Sequence, residues 1–325
     1  MSRNKLFFFM LVFFCVFVIA WASYGMIVGE KEGEPYQVSV IVNDSNNDRW
    51  IALRQGLEQA AKDYHVDLNY VSTGKLESYE EEHALLQREL ENGAEGIIIQ
   101  MVSDEPETLD LTGAFMQVAV VLLESDGGLE DSHAVVGSDN EEIGRAMADA
   151  IIRDFQGTLA GKKIGILSGG SSGLAMRQRN QGLTEALQEQ DALIAWDISH
   201  IDGLLDEQKE QIAWMSLADI IIALDNDGTE RMIDVIQAGG DESSDCALYG
   251  VGGSEKAVYY LDKGVIRTLV VPNEFKMGYQ SMEAIANQLQ HQTGQLEDYQ
   301  VDYLVINKDN MYDKKNQKLL FPIVQ

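Results

Sequence analysis

The sequence predicts an α/β protein: two similar doubly wound parallel-sheet lobes joined by a multi-strand hinge, after an N-terminal membrane segment. Three observations carry this. Short β-branched runs alternate with amphipathic helical stretches, the strand-loop-helix pattern restarts near residue 139, and an uncharged apolar run fills residues 6–28. The chain has 325 residues, 45% of them hydrophobic, enough for a large core and about two domains. Only 4 prolines interrupt it, while 29 glycines suit repeated strand-to-helix turns.

Arg3 and Lys5 precede the apolar run, and Glu30, Glu32 and Glu34 follow it. Basic residues before and acidic ones after place the N-terminus inside and the bulk of the chain outside the membrane. Residues 1–29 therefore read as a signal peptide, with Ala20-Trp21-Ala22 as its cleavage site, or as an uncut signal anchor. Cys15 lies within the run without the small residues that precede a lipidated cysteine, and Cys246 has no partner for an internal disulfide. The formal charge is −29. Such an acidic surface repels phosphate backbones and excludes nucleic acid as a partner.

The exported part opens on a β-branched strand, Val38 with Val40, Ile41 and Val42, followed by a loop of Asn, Asp and Ser at 43–48. Asp48 or Asn47 is placed to cap the next helix, which Trp50 opens and in which Ile51, Leu53, Leu57, Ala60 and Ala61 recur at helical spacing. Ligands of open α/β sheets bind beyond the carboxyl ends of strands, so Asn47 and Trp50 border a cleft. Strands at 66–71, 96–99, 118–123 and 134–137 alternate with helices at 78–92 and near 109–116. This alternation implies parallel strands with right-handed crossovers. Asn140 caps the helix 141–154. The second round runs through strands at 163–167, 193–198 and 219–223 and helices at 174–190, 204–215 and 228–238.

Motifs for catalysis are missing. The Gly-rich loop 169–173 has neither the Gly-Lys-Ser/Thr ending of a nucleotide loop nor the spacing of a dinucleotide site, and reads as a tight turn lining the cleft. Asp225-Asn226-Asp227-Gly228 resembles part of a calcium loop, but Ala223 and Asp234 stand where its outer ligands belong. Its acids cap the following helix, with Asp225 toward the cleft. His65, His83, His133, His200 and His291 are scattered without ligand spacing, so neither metal nor cofactor is implied.

Several loops resemble the type I periplasmic binding proteins, ribose-binding proteins in particular, over residues 36–305. Asn46-Asn47 before Trp50 is similar to that family's first sugar-binding loop, with Arg49 where a second aromatic is usual. Glu124-Ser125 stands where the family carries Asp-Arg, and Ser138-Asp139-Asn140 matches its first crossing between lobes. Ala175-Met176-Arg177-Gln178-Arg179 resembles the segment whose first arginine bonds ligand oxygens, and Asp225 falls at a strand end that often carries a polar ligand residue. Gly252 replaces an expected Asp, and Asn273 takes the place of a hinge Gln.

The ligand set implied by the resemblance is thus Asn47, Trp50, Glu124, Arg177, Asp225 and Asn273. The lobes implied are 36–138 plus 273–300 and 139–272 plus 301–325. The function implied is extracytoplasmic binding of a sugar or sugar-like molecule by lobe closure, for delivery to the permease of an ABC importer. The alternative is a membrane-anchored sensor for a histidine kinase or chemoreceptor. A remote third is an exported glycan-active enzyme using Glu124 and Asp225. The lac repressor family shares these lobes but needs a helix-turn-helix where the apolar run stands.

Overall fold

The computed structural model describes residues 34–76, 78–101, 118–125, 133–168, 173–199, 217–239, 246–291 and 296–321, with 13–14 and 17–18 besides. The rest of the apolar run, the expected helices near 109–116 and 204–215, and residues 169–172 of the Gly-rich loop lie outside the described residues. Among the described residues no helix is long and apolar enough to cross a membrane. Tyr36–Gln325 is one compact unit.

In chain order, the first lobe contains β1 (Tyr36–Ile41), α1 (Ile51–Asp63), β2 (Val66–Tyr70), α2 (Tyr79–Glu91), β3 (Gly96–Gln100), β4 (Ala119–Leu123) and β5 (Ala134–Gly137). The second contains α3 (Asn140–Asp154), β6 (Lys163–Ser168), α4 (Leu174–Gln188), β7 (Leu193–Ser199), β8 (Ile220–Ala223), α5 (Asn226–Gly239), β9 (Ala247–Val251), α6 (Glu255–Asp262) and β10 (Ile266–Pro272). The chain then returns to the first lobe for α7 (Glu274–His291) and β11 (Tyr299–Gln300), and ends in the second with β12 (Tyr303–Asn307) and α8 (Lys314–Leu320).

The two sheets repeat one order. The first runs β2-β1-β3-β4-β5-β11 and the second β7-β6-β8-β9-β10-β12. This is a doubly wound order whose switch point lies between the first and third strands of each sheet, where ligands collect at the carboxyl ends. All pairings are parallel except β12, which is antiparallel to β10. Topology explains the exception. β11 leaves the first sheet at its carboxyl edge, and after only Val301 and Asp302 the chain enters the second sheet at that same edge, so it runs back against its neighbours.

Both faces of each sheet are covered, and the alternation of side chains sorts the core accordingly. In the first lobe, Val38, Val40, Ile98, Val121 and Leu123 meet α1 and α7, while Ile41, Ile97, Ile99, Val120 and Leu122 pack with Leu86 of α2. In the second, Ile164, Ile166 and Ile222 meet Ile143, Met147 and Leu183 of α3 and α4. The opposite face buries Ile221 and Leu248 against α5, α6 and α8.

Each lobe holds its principal helix pair together through two facing glycines. A Cβ on Gly56 of α1 would lie 2.0 Å from the Phe275 carbonyl oxygen of α7, and one on Gly278 would lie 2.2 Å from that of Leu53. In the second lobe a Cβ on Gly144 would come within 2.1 Å of the Arg179 carbonyl oxygen, and one on Gly182 within 2.1 Å of that of Glu141. Backbone meets backbone at all four places, so no side-chain rotation relieves the clash. Gly56→Ala is expected to cost about 1–3 kcal/mol through overpacking. Gly74→Ala, where a Cβ meets nothing within 4 Å, should be near neutral. Urea unfolding of both variants checks the contrast, and equal midpoints would refute it.

Capping departs from expectation at one junction. Asp139, not Asn140, caps α3: its side chain accepts from the Glu142 N–H at 2.9 Å. Asn140 is already inside the helix, which frees its amide for the contact described below. Asn47 caps a 3-10 turn, Asp48–Trp50, that leads into α1, accepting from the Arg49 N–H at 3.0 Å.

Candidate functional site

The carboxyl edges of the two sheets meet around Glu124, the residue that follows β4. Its backbone is left-handed, φ 68°, a conformation costly for a residue with a side chain. The neighbouring strand makes room for it: a Cβ on Gly137 of β5 would lie 2.9 Å from the Glu124 Cα. This turn tips the carboxylate out of the sheet line and buries it, with 9% exposure, between the lobes.

Four groups converge on it. Arg49 donates to Oε1 at 2.6 Å, and Gln100, the last residue of β3, donates to Oε2 at 2.6 Å. From the second lobe, an Arg179 guanidinium nitrogen lies 3.7 Å from Oε1, and Asn140 donates to the Glu124 carbonyl at 2.8 Å. Arg179 is anchored in turn by Asn140 Oδ1 at 2.8 Å and the Leu224 carbonyl at 3.0 Å. The Asn47 amide adds a rim contact between lobes, donating to Asp227 at 3.3 Å.

Arg49 is the centre of this network. Its guanidinium lies 4.0 Å from the centroid of the Trp50 ring and 3.9 Å from a Glu274 oxygen. Burial pushes it toward neutrality, but Glu124, Glu274 and Asp227 together hold its pKa above the ordinary value. Burial likewise raises the Glu124 carboxyl, and Arg49 and Arg179 overcome this and hold it below the usual range. Burial lowers Arg179, with Glu124 opposing. Glu274 has the weakest compensation: burial outweighs Arg49 and pushes its carboxyl up to about 7.

The expected ligand residues occupy varied positions. Asn47 and Glu124 belong to the network. Trp50 does not offer a free ring: it is 1% exposed in the core of the first lobe, its indole N–H donates to the Asn43 carbonyl at 2.9 Å, and Arg49 covers a face. The cause is its place in the apolar stripe with Leu53 and Leu57. Arg177 is exposed in the first turn of α4, whereas Arg179, two residues on, is 4% exposed and turned inward. Asp225 is buried and caps α5, accepting from the Gly228 N–H at 2.7 Å, close enough to Arg179 to act on its charge. Asn273 stands at the crossing from β10 to α7. It caps α7 through the Lys276 N–H at 3.1 Å and joins Asp302 of the neighbouring crossing, backbone to backbone, at 3.0 Å.

Arg49, Gln100, Asn140, Arg179 and Glu274 enter the site without having been expected there as ligand residues. Arg179 lies on the buried stripe of α4 with Ala175, Met176, Leu183 and Leu187, and Glu274 one turn before Met277 and Gly278 on the buried side of α7. A charge inside an apolar stripe is the signal that finds both. The substitution at Gly252 also has a local cause: its φ is 117°, and a Cβ would lie 2.6 Å from Asn226 Oδ1. Among the described residues no group of three or more His, Cys, Asp or Glu could hold a metal ion.

Beside the network opens a polar cavity of about 470 Å3, lined by Glu124, Ser125, Asn140, Gln178 and the crossings at 137–139 and 298–300. Ser138 Oγ, in its wall, is buried without a hydrogen bond among the described residues. Residues 38–293 match the family model described as the periplasmic binding protein domain. The chain belongs to the periplasmic binding protein family. By structure this member is similar to an ABC transporter solute-binding protein from Burkholderia graminis in complex with D-arabinose, with a TM-score of 0.73 and 17% identity over 87% of this chain and 99% of that one. It is similar also to a Caulobacter myo-inositol binding protein bound to myo-inositol, with a TM-score of 0.73 and 18% identity over 89% and 98%. A third similar structure is the XylFII-LytSN complex, with a TM-score of 0.69 and 17% identity over 85% and 98%. These likenesses show the type I binding-protein fold. No curated protein matches the chain by sequence.

Proposed function

We propose that the chain is an extracytoplasmic solute-binding protein that closes on a sugar or sugar-like small molecule for delivery to an ABC importer. The observation that supports this most is the convergence of polar groups from both lobes on Glu124, beside a polar cavity at the strand ends. A polyol needs dense, paired hydrogen-bonding partners, and carboxylate, amide and guanidinium groups supply them. A ligand touching both lobes stabilises the arrangement in which both are in reach, and that difference in affinity is the signal. The similar proteins bound to D-arabinose and myo-inositol agree with this ligand class. The reading is of binding without turnover: Glu124 is committed to arginines and Asp225 to a helix cap, so neither serves as a general acid.

A second reading is a tethered sensor whose closure is read by a histidine kinase. The likeness to the XylFII-LytSN complex favours it, and so does the apolar run 6–28 if it stays uncut. Thermal denaturation in the presence of monosaccharides, polyols and nucleosides tests the shared premise, because a ligand bound only by the native state raises Tm. At least one sugar is expected to give a saturable rise. Arg177→Ala should reduce that rise if its exposed guanidinium meets the ligand. No rise with any polar small molecule would defeat both readings.

A further inference from the structure

Arg49 and Glu274 also form the inner wall of a second cavity, of about 370 Å3, on the far side of the network from the polar one. Its character is opposite. Ile51 and Ala52 of α1 face Val258 and Tyr259 of α6 across it, and Met311 and Phe321 close it. Asp48, Arg49, Ile51, Ala52 and Glu274 belong to the first lobe and the other walls to the second, so this space lies between the lobes.

We propose that the ligand of the cleft is amphipathic: a polar ring meets the network around Glu124, and an apolar substituent on it enters this second cavity. The proposal rests on the reading of the cleft as a site for a sugar-like molecule. Three features carry it further than that reading. Arg49 and Glu274 belong to the network around Glu124 and also line this cavity, so one molecule can touch the network and the apolar walls together. The volume suffices for a phenyl ring or a short alkyl chain, since an apolar cavity of about 150 Å3 holds benzene. The acids Asp48, Glu255, Asp262 and Glu274 surround the apolar walls against a single base, Arg49, which admits a neutral or cationic substituent and repels an anionic one. Filling the cavity dehydrates apolar surface of both lobes at once, so the substituent strengthens closure as well as affinity. A plain sugar leaves that surface wet.

Calorimetric titration of the full chain with paired methyl and phenyl β-glycosides of D-glucose, D-galactose and D-xylose tests this. At least one phenyl glycoside is expected to bind roughly tenfold or more tightly than its methyl partner, the order expected for burying a ring of that size. It should also bind with a more negative heat-capacity change. Ala52→Trp, which fills the cavity from the α1 side, should abolish the difference between the pair. Tyr259→Ser removes a wall residue that is 55% exposed and so tolerant of change, and should reduce the difference several-fold; it decides the matter if the tryptophan variant does not fold. Equal affinity within every binding pair overturns the inference and leaves the sugar reading standing, and so does a phenyl preference that survives these substitutions. Binding of neither partner in any pair overturns the sugar reading, and this inference falls with it.

Discussion

Glu124→Ala is expected to lower stability by about 3–5 kcal/mol, the cost of removing one partner from a buried ion pair. The carboxylate is the acid nearest both Arg49 and Arg179, whose side chains are 14% and 4% exposed, and it holds Gln100 as well. Without it two buried guanidinium groups lose their strongest acidic partner and keep Glu274, at 3.9 Å from Arg49, with the weaker influence of Asp227 on Arg49 and of Asp225 on Arg179. The left-handed backbone at Glu124 provides an internal control. Glycine adopts that conformation without penalty, so Glu124→Gly, although it loses the same carboxylate, should retain about 1 kcal/mol more than the alanine variant. Glu124→Gln keeps an acceptor and should lose least. Urea unfolding followed by circular dichroism ranks the three. An alanine variant within about 1 kcal/mol of the parent would mean that the network is solvated and does not bind the lobes together.

The sequence makes the fold legible because the fold is written locally. A strand buried on both faces must be a β-branched run, as at Ile97, Ile98 and Ile99, and a helix laid on a sheet must carry an apolar stripe, as α1 does from Leu53 to Ala61. The repeat of the pattern after Asn140 follows from the same rule, and the two sheets do share one strand order. The direction of β12 is less accessible, since it depends on how few residues separate it from β11.

The site is legible only in part. Glu124 is marked by its position just after a strand, and Asn47 by its position just before a helical turn. The partnership of Arg49 with Glu124 spans 75 residues, and no periodicity connects them. Arg177 and Arg179 differ only in which face of α4 they occupy, a question answered by the buried neighbours Ala175, Met176 and Leu183 rather than by the arginines. Trp50 shows the opposite ambiguity. A large aromatic at a helix start suits a ligand or a core equally, and here the core residues Leu53 and Leu57 take it.

Glu274 makes stability depend on pH in a direction unusual for a carboxylate. In the unfolded chain its proton leaves near 4.5, in the folded protein at about 7, because burial disfavours the charged form more than Arg49 stabilises it. Between these values the native state binds the extra proton, so this residue's contribution is fully present below 4.5 and is lost as pH rises through about 7. A shift of that size corresponds to about 3 kcal/mol. Glu124 works the other way, its lowered pKa giving stability that disappears as the solution is acidified, so the parent curve mixes the two. Comparison with Glu274→Gln isolates the first. The glutamine variant cannot ionise, and relative to the parent it should gain about 3 kcal/mol between pH 4.5 and pH 8 in urea unfolding. If the two pH profiles run parallel, the Glu274 carboxyl is hydrated in the folded protein, and the cleft is wetter around Arg49 than the contacts of Trp50 and Glu124 imply.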